Sequence, residues 1–167
     1  MTKISLFHGD ITKLVVDAIV NATDEDLSGG GGVDLSIHLA AGDDLKSELD
    51  KTKICKTGDA IITKGYNLPS KYIIHTVGPI FSNSEEDPIL LAKCYINSLK
   101  LCRSNNVRTI AFPSISTGVF GYPKDEASLV ALKTVRDYIK TFPDDLSEII
   151  FVAFSEEDYQ QYKKLLK

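Results

Sequence analysis

The chain has 167 residues, 43% of them hydrophobic, which is enough for one ordinary core and too little to argue for two domains, so residues 1–167 are expected to form a single unit. Its 19 basic residues are outweighed by 23 acidic ones, a formal net charge of -4, and this excludes the broad positive field that holds nucleic acid by counterion release. No apolar run approaches the roughly 20 residues that span a bilayer, and the opening MTKISLFHGD lacks a signal pattern, so a cytoplasmic monomer without a membrane or nucleic-acid partner is the expectation.

In chain order, ISLF and DAIV read as short strands rich in branched and aromatic residues. GVDLSIHLAAG and the charged segment after it read as helix, with Val33, Ile37 and Ala40 at helical spacing. The apolar runs Ala60 to Thr63 and Tyr72 to Val77 are separated by Gly65, Asn67 and Pro69, which makes them two strands joined by a loop. From Pro88 to Asn105 the residues Leu91, Cys94, Tyr95, Ser98, Leu99 and Cys102 recur every three or four positions, the mark of a helix with one buried stripe. RTIAFPSI is then a strand, Pro123 to Phe142 a second long amphipathic helix with proline near its first turn, EIIFVAF a last strand and EEDYQQYKKLL a closing helix. The alternation predicts an α/β/α sandwich, helices covering both faces of a parallel or mixed sheet. Cys55, Cys94 and Cys102 are an odd set without metal-ligand spacing, which fits reduced thiols packed in the core.

Ligands in such folds collect at the carboxyl ends of strands, and two loops there share a plan. DAIVNATDEDLSGGGG and AFPSISTGVFGYP each lead from a strand toward a helix, the second carrying Gly118 and Gly121. Glycines before a helix let main-chain N–H groups wrap an anion, and the helix dipole adds to the attraction. Neither loop has the lysine-bearing phosphate motif of an NTPase, and the run Gly29 to Gly32 fails the dinucleotide fingerprint. Together they suit a diphosphate that is held without being transferred; an isolated glycine run reads equally well as a loose surface loop.

Asp34 falls in the first helical turn after the glycines, where a carboxylate is stabilised by the helix itself. Beside a bound phosphate it is also placed to orient or deprotonate a water. His38, four residues on, shares its face and reads as a packed histidine when taken alone. Asp10 reads as a turn or N-cap residue, or as an acceptor for an exocyclic amine. Phe120 and Phe154 read as core residues, or as faces for a ribose and a base. A serine hydrolase on Ser114 or Ser116 lacks its G-x-S-x-G elbow, and His8, His38, His75 and the cysteines form no metal-ligand cluster.

Five blocks in order, GDIT (Gly9–Thr12), DAIVNA (Asp17–Ala22), GGGGVD with IH (Gly29–Asp34, Ile37, His38), IIHTVGP (Ile73–Pro79) and PSISTGVFGYP (Pro113–Pro123), give the chain its resemblance to the macro domains. It is most similar to the MacroD-type branch, which binds ADP-ribose and removes it from acidic side chains. The resemblance implies that Asp10 takes the adenine amine with Ile11 beside it and that Phe154 lies on the adenine. The amides of Gly31, Gly32 and Val33 and of Ser116, Thr117, Gly118, Val119 and Phe120 would cradle the diphosphate, with Ala22 in the same lining. Asn21 and Asp24 would face the distal ribose, which Phe120 shapes. Asp34 would activate the attacking water, with His38 in support and the ligand's own phosphate as a further aid. No metal or cofactor is implied. The implied substrates are ADP-ribose esters of Asp and Glu side chains on proteins and related esters such as O-acetyl-ADP-ribose; the rival is a non-catalytic reader of ADP-ribosylated proteins.

One departure stands out. The family pattern N-A-A-N is NATD here, so Asp24 replaces an amide that both donates and accepts with a carboxylate that, ionised, accepts alone. A second negative charge close to Asp34 and the diphosphate is expected to raise one carboxyl's pKa or to weaken anion binding.

Overall fold

A computed structural model describes residues 1–167. Six strands, β1 (Lys3–His8), β2 (Ala18–Ala22), β3 (Ala60–Lys64), β4 (Tyr72–Thr76), β5 (Thr109–Phe112) and β6 (Glu148–Ala153), form one sheet in the order β1-β6-β5-β2-β4-β3. All neighbours are parallel except β3 and β4, an antiparallel pair at one edge. The helices are α1 (Gly32–Ala41), α2 (Asp43–Thr52), α3 (Glu86–Ser104), α4 (Lys124–Thr141) and α5 (Glu156–Leu165), and a short 3-10 turn occupies Ile11–Lys13.

The period-two alternation of the strands sorts the core into two halves. Ala18, Val20, Ile74, Ile110, Phe112, Ile149 and Phe151 pack with α3, α4 and α5. The intervening residues Ile19, Ile73, Ala111 and Val152 pack with Ile37 and Ala41 of α1 and Leu45 and Leu49 of α2. This is the expected three-layer sandwich with a mixed sheet. Strands clothed on both faces carry near-continuous apolar runs, and that property makes any polar residue at their centre conspicuous.

Three local expectations need correction. The buried stripe of α1 is Asp34, Ile37 and Ala41, with Ala40 exposed, because the helix starts at Gly32 and turns the Val33–Ile37–Ala40 line partly outward. RTIAFPSI leaves the sheet after Phe112, since Pro113 has no N–H to continue the ladder. Phe154 lies beyond the end of β6 and is 83% exposed, so it is not a core residue. The α3 stripe is buried throughout, and Cys55, Cys94 and Cys102 are buried free thiols. Burial pushes those thiols up, to about 11 for Cys55 and Cys94 and about 12 for Cys102.

Candidate functional site

The carboxyl ends of β1, β2, β5 and β6 open into one cleft of about 570 Å³, within the range of small-molecule sites. Its lining joins the residues after β1 (Asp10, Ile11), the end of β2 and the glycine loop (Ala22, Thr23, Asp24, Gly31, Gly32, Val33, Asp34), the loop after β5 (Ser116, Thr117, Gly118, Val119, Phe120) and Phe154 after β6. The two glycine loops therefore converge on a single space. Asn21 and His38, expected beside them, do not line it.

The glycines of the tetrad differ in what holds them. Gly29 has φ +72°, and a Cβ there would stand 2.9 Å from the His38 ring. At Gly30 a Cβ would press to 3.2 Å from the Ser28 hydroxyl. Gly31 is extended, and Gly32 turns into the helix at φ +57°, with nothing within 4 Å of a Cβ built at either position. The first N–H groups of α1 have no partner inside the helix, and Gly31 as its N-cap supplies no side-chain acceptor. In the second loop, Phe81 N–H donates to Phe120 O (2.8 Å) and Tyr122 N–H to Ser116 O (2.9 Å), which ties its carbonyls down. The N–H groups of Gly118, Val119 and Phe120 make no hydrogen bond within the protein. Free donors on both sides of one cleft suit a diphosphate.

Asp10 fills the cap role: its Oδ1 accepts from Thr12 N–H (2.9 Å) and from the Thr12 hydroxyl (2.7 Å). Its Oδ2 has no partner, so capping and ligand recognition are compatible in one exposed side chain at the cleft edge.

Asp34 is buried, 4% exposed, and held from two sides. Asn21 Nδ2 donates to its Oδ1 (2.8 Å) and the Thr23 hydroxyl to its Oδ2 (2.7 Å). His38 Nε2 lies 3.4 Å from Oδ1 but outside hydrogen-bond geometry. His38 backs the carboxylate and packs behind Gly29 rather than facing the cleft. Asn21 is fully buried; beyond Asp34 its Nδ2 also contacts His75 Nδ1 (3.1 Å), and His75 Nε2 in turn contacts the Thr63 hydroxyl (2.9 Å). Burial, with a smaller contribution from the charge of His38, holds His75 down to about 3, so its ring is neutral at working pH.

That neutrality gives a stability prediction. In the unfolded chain His75 titrates near 6.5, against about 3 in the fold. Between those values the unfolded chain binds a proton that the fold refuses, so this group lowers stability as pH falls from about 6.5 toward 3 and has no effect above that window. NMR is expected to show the His75 ring unchanged from pH 8 to 5, and urea unfolding between pH 6.5 and 5 to show proton uptake that His75→Gln diminishes. A ring that titrates near 6.5 in the fold contradicts the assignment.

Asp24 turns toward its own loop. Its Oδ1 accepts from Ser28 N–H (3.0 Å) and its Oδ2 from the Ser28 hydroxyl. Partial burial works to raise its pKa, yet the donors of Ser28, with the amides of Asp26 and Leu27, outweigh it and hold the carboxyl below the usual value. The expected upward shift from like charge is thus absent at Asp24. It is an anion in the cleft lining, turned onto Ser28 of its own loop.

Thr23 escaped the sequence reading although it differs from the family alanine at the same motif; the signal was a hydroxyl directly after an inward-facing strand residue. Asp158, a first-turn acid of α5 that the sequence did not single out, is also in the lining and pairs with Lys124 at 3.4 Å. No group of three or more His, Cys, Asp or Glu side chains is arranged to hold a metal, and no helix is long and apolar enough to cross a membrane.

Comparison with known proteins agrees with this geometry. The Macro domain family model matches residues 20–131. The chain is 50% identical over 167 residues to the ADP-ribose glycohydrolase MACROD2 of Homo sapiens, covering 97% of this chain and 39% of that protein. It is 48% identical over 164 residues to a macro domain-containing protein of Chlorobaculum tepidum, covering 98% and 95%. A Trypanosoma brucei macrodomain in complex with ADP-ribose superposes with TM-score 0.94 at 41% identity, covering 98% of this chain and 69% of that one. An Oceanobacillus iheyensis macrodomain with ADP gives 0.92 at 43%, covering 96% and 88%. The chain spans about two fifths of the length of the MACROD2 relatives.

Proposed function

The chain belongs to the macro domain family, and from that premise we propose that it binds ADP-ribose and hydrolyses the ester joining ADP-ribose to Asp or Glu side chains of proteins. The observation that carries the reading is the anchored carboxylate of Asp34, facing a cleft whose far wall offers unpaired amides. A grip alone makes a reader; a hydrolase also needs a placed base for water. Asp34 accepts the proton as water adds, and the ester parts into free ADP-ribose and the free carboxyl of the target. O-acetyl-ADP-ribose carries the same kind of ester and is proposed as a second substrate. The relatives named as ADP-ribose glycohydrolases and the solved macrodomains with ADP and ADP-ribose support the ligand class. We propose further that the protein acts as a cytoplasmic monomer, with ADP-ribosylated proteins as its partners and no resident metal or cofactor.

The test is incubation of a glutamate-linked mono-ADP-ribosylated protein with the chain in a chelator, followed by mass spectrometry. Free ADP-ribose and an unmodified target are expected. ADP-ribose binding by calorimetry with a target that stays modified at enzyme excess makes the protein a reader instead.

Asp24 gives a separate prediction. Asp24→Asn keeps an acceptor for Ser28 N–H while the Ser28 hydroxyl reverses to accept from the new amide, so the loop is retained. One negative charge leaves the diphosphate site, and ADP-ribose is expected to bind about three- to tenfold more tightly, on the order of 1 kcal/mol for a partly solvated charge. The gain should shrink in high salt. Calorimetry at two ionic strengths checks this, and an unchanged Kd rules charge at this position out as an influence.

A further inference from the structure

β2, β4 and β3 lie side by side, and Asn21 is in register with His75 while Thr63 lies opposite Ile73, the inward neighbour of His75 along β4. Their alternation puts Asn21, His75 and Thr63 on the face that α1 covers, in a row leading from the sheet edge to Asp34. Asn21 and His75 are 0% exposed and Thr63 is 5%. Polar side chains this deep in a largely parallel sheet are costly unless they are bonded, and here the bonding has a direction.

The row can be read from either end. From Asp34, an ionised carboxylate only accepts, so the Asn21 atom 2.8 Å from Oδ1 is the NH2 group. The same NH2 reaches His75 Nδ1 (3.1 Å), which must then be the ring's bare nitrogen. A neutral ring with bare Nδ1 carries its proton on Nε2 and donates it to the Thr63 oxygen at 2.9 Å. From the other end, the Thr63 hydroxyl gives its own proton to Lys64 O (3.1 Å) and so has a lone pair for His75 Nε2–H. Both readings give the same proton order.

The alternative order has a definite consequence. With the proton on Nδ1, His75 would draw the amide oxygen of Asn21 into the place of its NH2, and that oxygen would stand against Asp34 Oδ1. We infer that Thr63 and His75 are positioning residues for Asp34: by fixing the ring tautomer from the sheet edge, they keep the Asn21 NH2 turned toward the carboxylate. Neither residue lines the cleft. The buried Asn21 Oδ1 has no partner, a loss that a network built only for mutual satisfaction would avoid. The amide is set by what its donor end must do.

The inference rests on the hydrolase reading for its kinetic consequence and not for its structural one. In the wild-type protein, nitrogen NMR is expected to show His75 protonated at Nε2 and bare at Nδ1, whether or not any ester is cleaved; the opposite tautomer overturns the inference outright. Thr63→Val, close in shape but without the hydroxyl, is expected to disturb that tautomer and lower kcat on a glutamate-linked peptide at least fivefold, with the ADP-ribose Kd within twofold. Thr63→Ser should restore both. A Val variant with full kcat, or one in which kcat and Kd fall together without rescue by Ser, reduces Thr63 to packing and sinks the inference. If the wild type turns over no ester, the hydrolase reading fails alone, and the tautomer together with the Asp34 carboxyl carbon resonance in wild type and Thr63→Val decides the positioning role.

Discussion

Asp34→Asn is expected to slow release of ADP-ribose from a glutamate-linked target by about 100-fold or more, the range in which a general base contributes, while the ADP-ribose Kd stays within about threefold. The geometry makes this substitution clean. The new amide oxygen still accepts from Asn21 Nδ2, and the new NH2 finds the Thr23 hydroxyl, which can rotate from donor to acceptor. No buried group is stranded, so the fold and the amide cradle are kept and what is lost is a carboxylate able to take a proton from water. Asp34→Ala would instead leave two buried donors without an acceptor, and a fall in rate would be mixed with a fall in stability. Single-turnover mass spectrometry for the rate and calorimetry for the affinity check it. Turnover within tenfold of wild type removes Asp34 as the base and points to the ligand's own phosphate.

The readable parts of this site were those written in local sequence. Glycines before a helix, a strand before them and a second loop of the same plan identify an anion cradle without coordinates, because both depend on backbone conformation a few residues long. Asp10 was legible in the same way, as a cap over a three-residue turn. Asn21 was named only through its family motif, and the roles of His75 and Thr63 were hidden for the opposite reason. Each looks like an alternating strand residue, and its meaning comes from the register of strands up to 54 positions apart in the chain. His38 was placed on the correct face of α1 by its spacing from Asp34, but which side of that helix turns to the cleft is decided by packing against β2. The behaviour of Asp24 was likewise out of reach, since it depends on the Ser28 hydroxyl and amide folding back onto it. Phe154 was left open between core and ligand face because an aromatic at a strand end fits either, and only the coordinates show it exposed in the cleft lining.

Gly32→Val is the second large effect to expect, with ADP-ribose binding weakened at least tenfold and no change in net charge. Gly32 stands at φ +57° as the first residue of α1, a conformation that costs an L-residue about 1–2 kcal/mol and a β-branched one more. Space is not the obstacle, since nothing beyond its chain neighbours and the helix's own backbone lies within 4 Å of a Cβ at this position. The strain must therefore surface in one of two places. If the backbone holds its angle, the melting temperature drops; if it relaxes, the amides of Gly32 and Val33 rotate away from the cleft and the diphosphate loses donors from one of its two loops. In the relaxed case binding must either restore the strained angle or forgo one charge-assisted hydrogen bond, and at 1.4 kcal/mol for each factor of ten either reaches the stated effect. Gly31→Ala is the matched control: Gly31 is extended at φ −169°, an angle open to any residue, and a smaller loss is expected there. Calorimetry and thermal unfolding of the two variants separate the cases. A Gly32→Val protein that melts and binds like wild type would mean that the helix entry does not hold the diphosphate, leaving the loop of Gly118 to Phe120 to hold it alone.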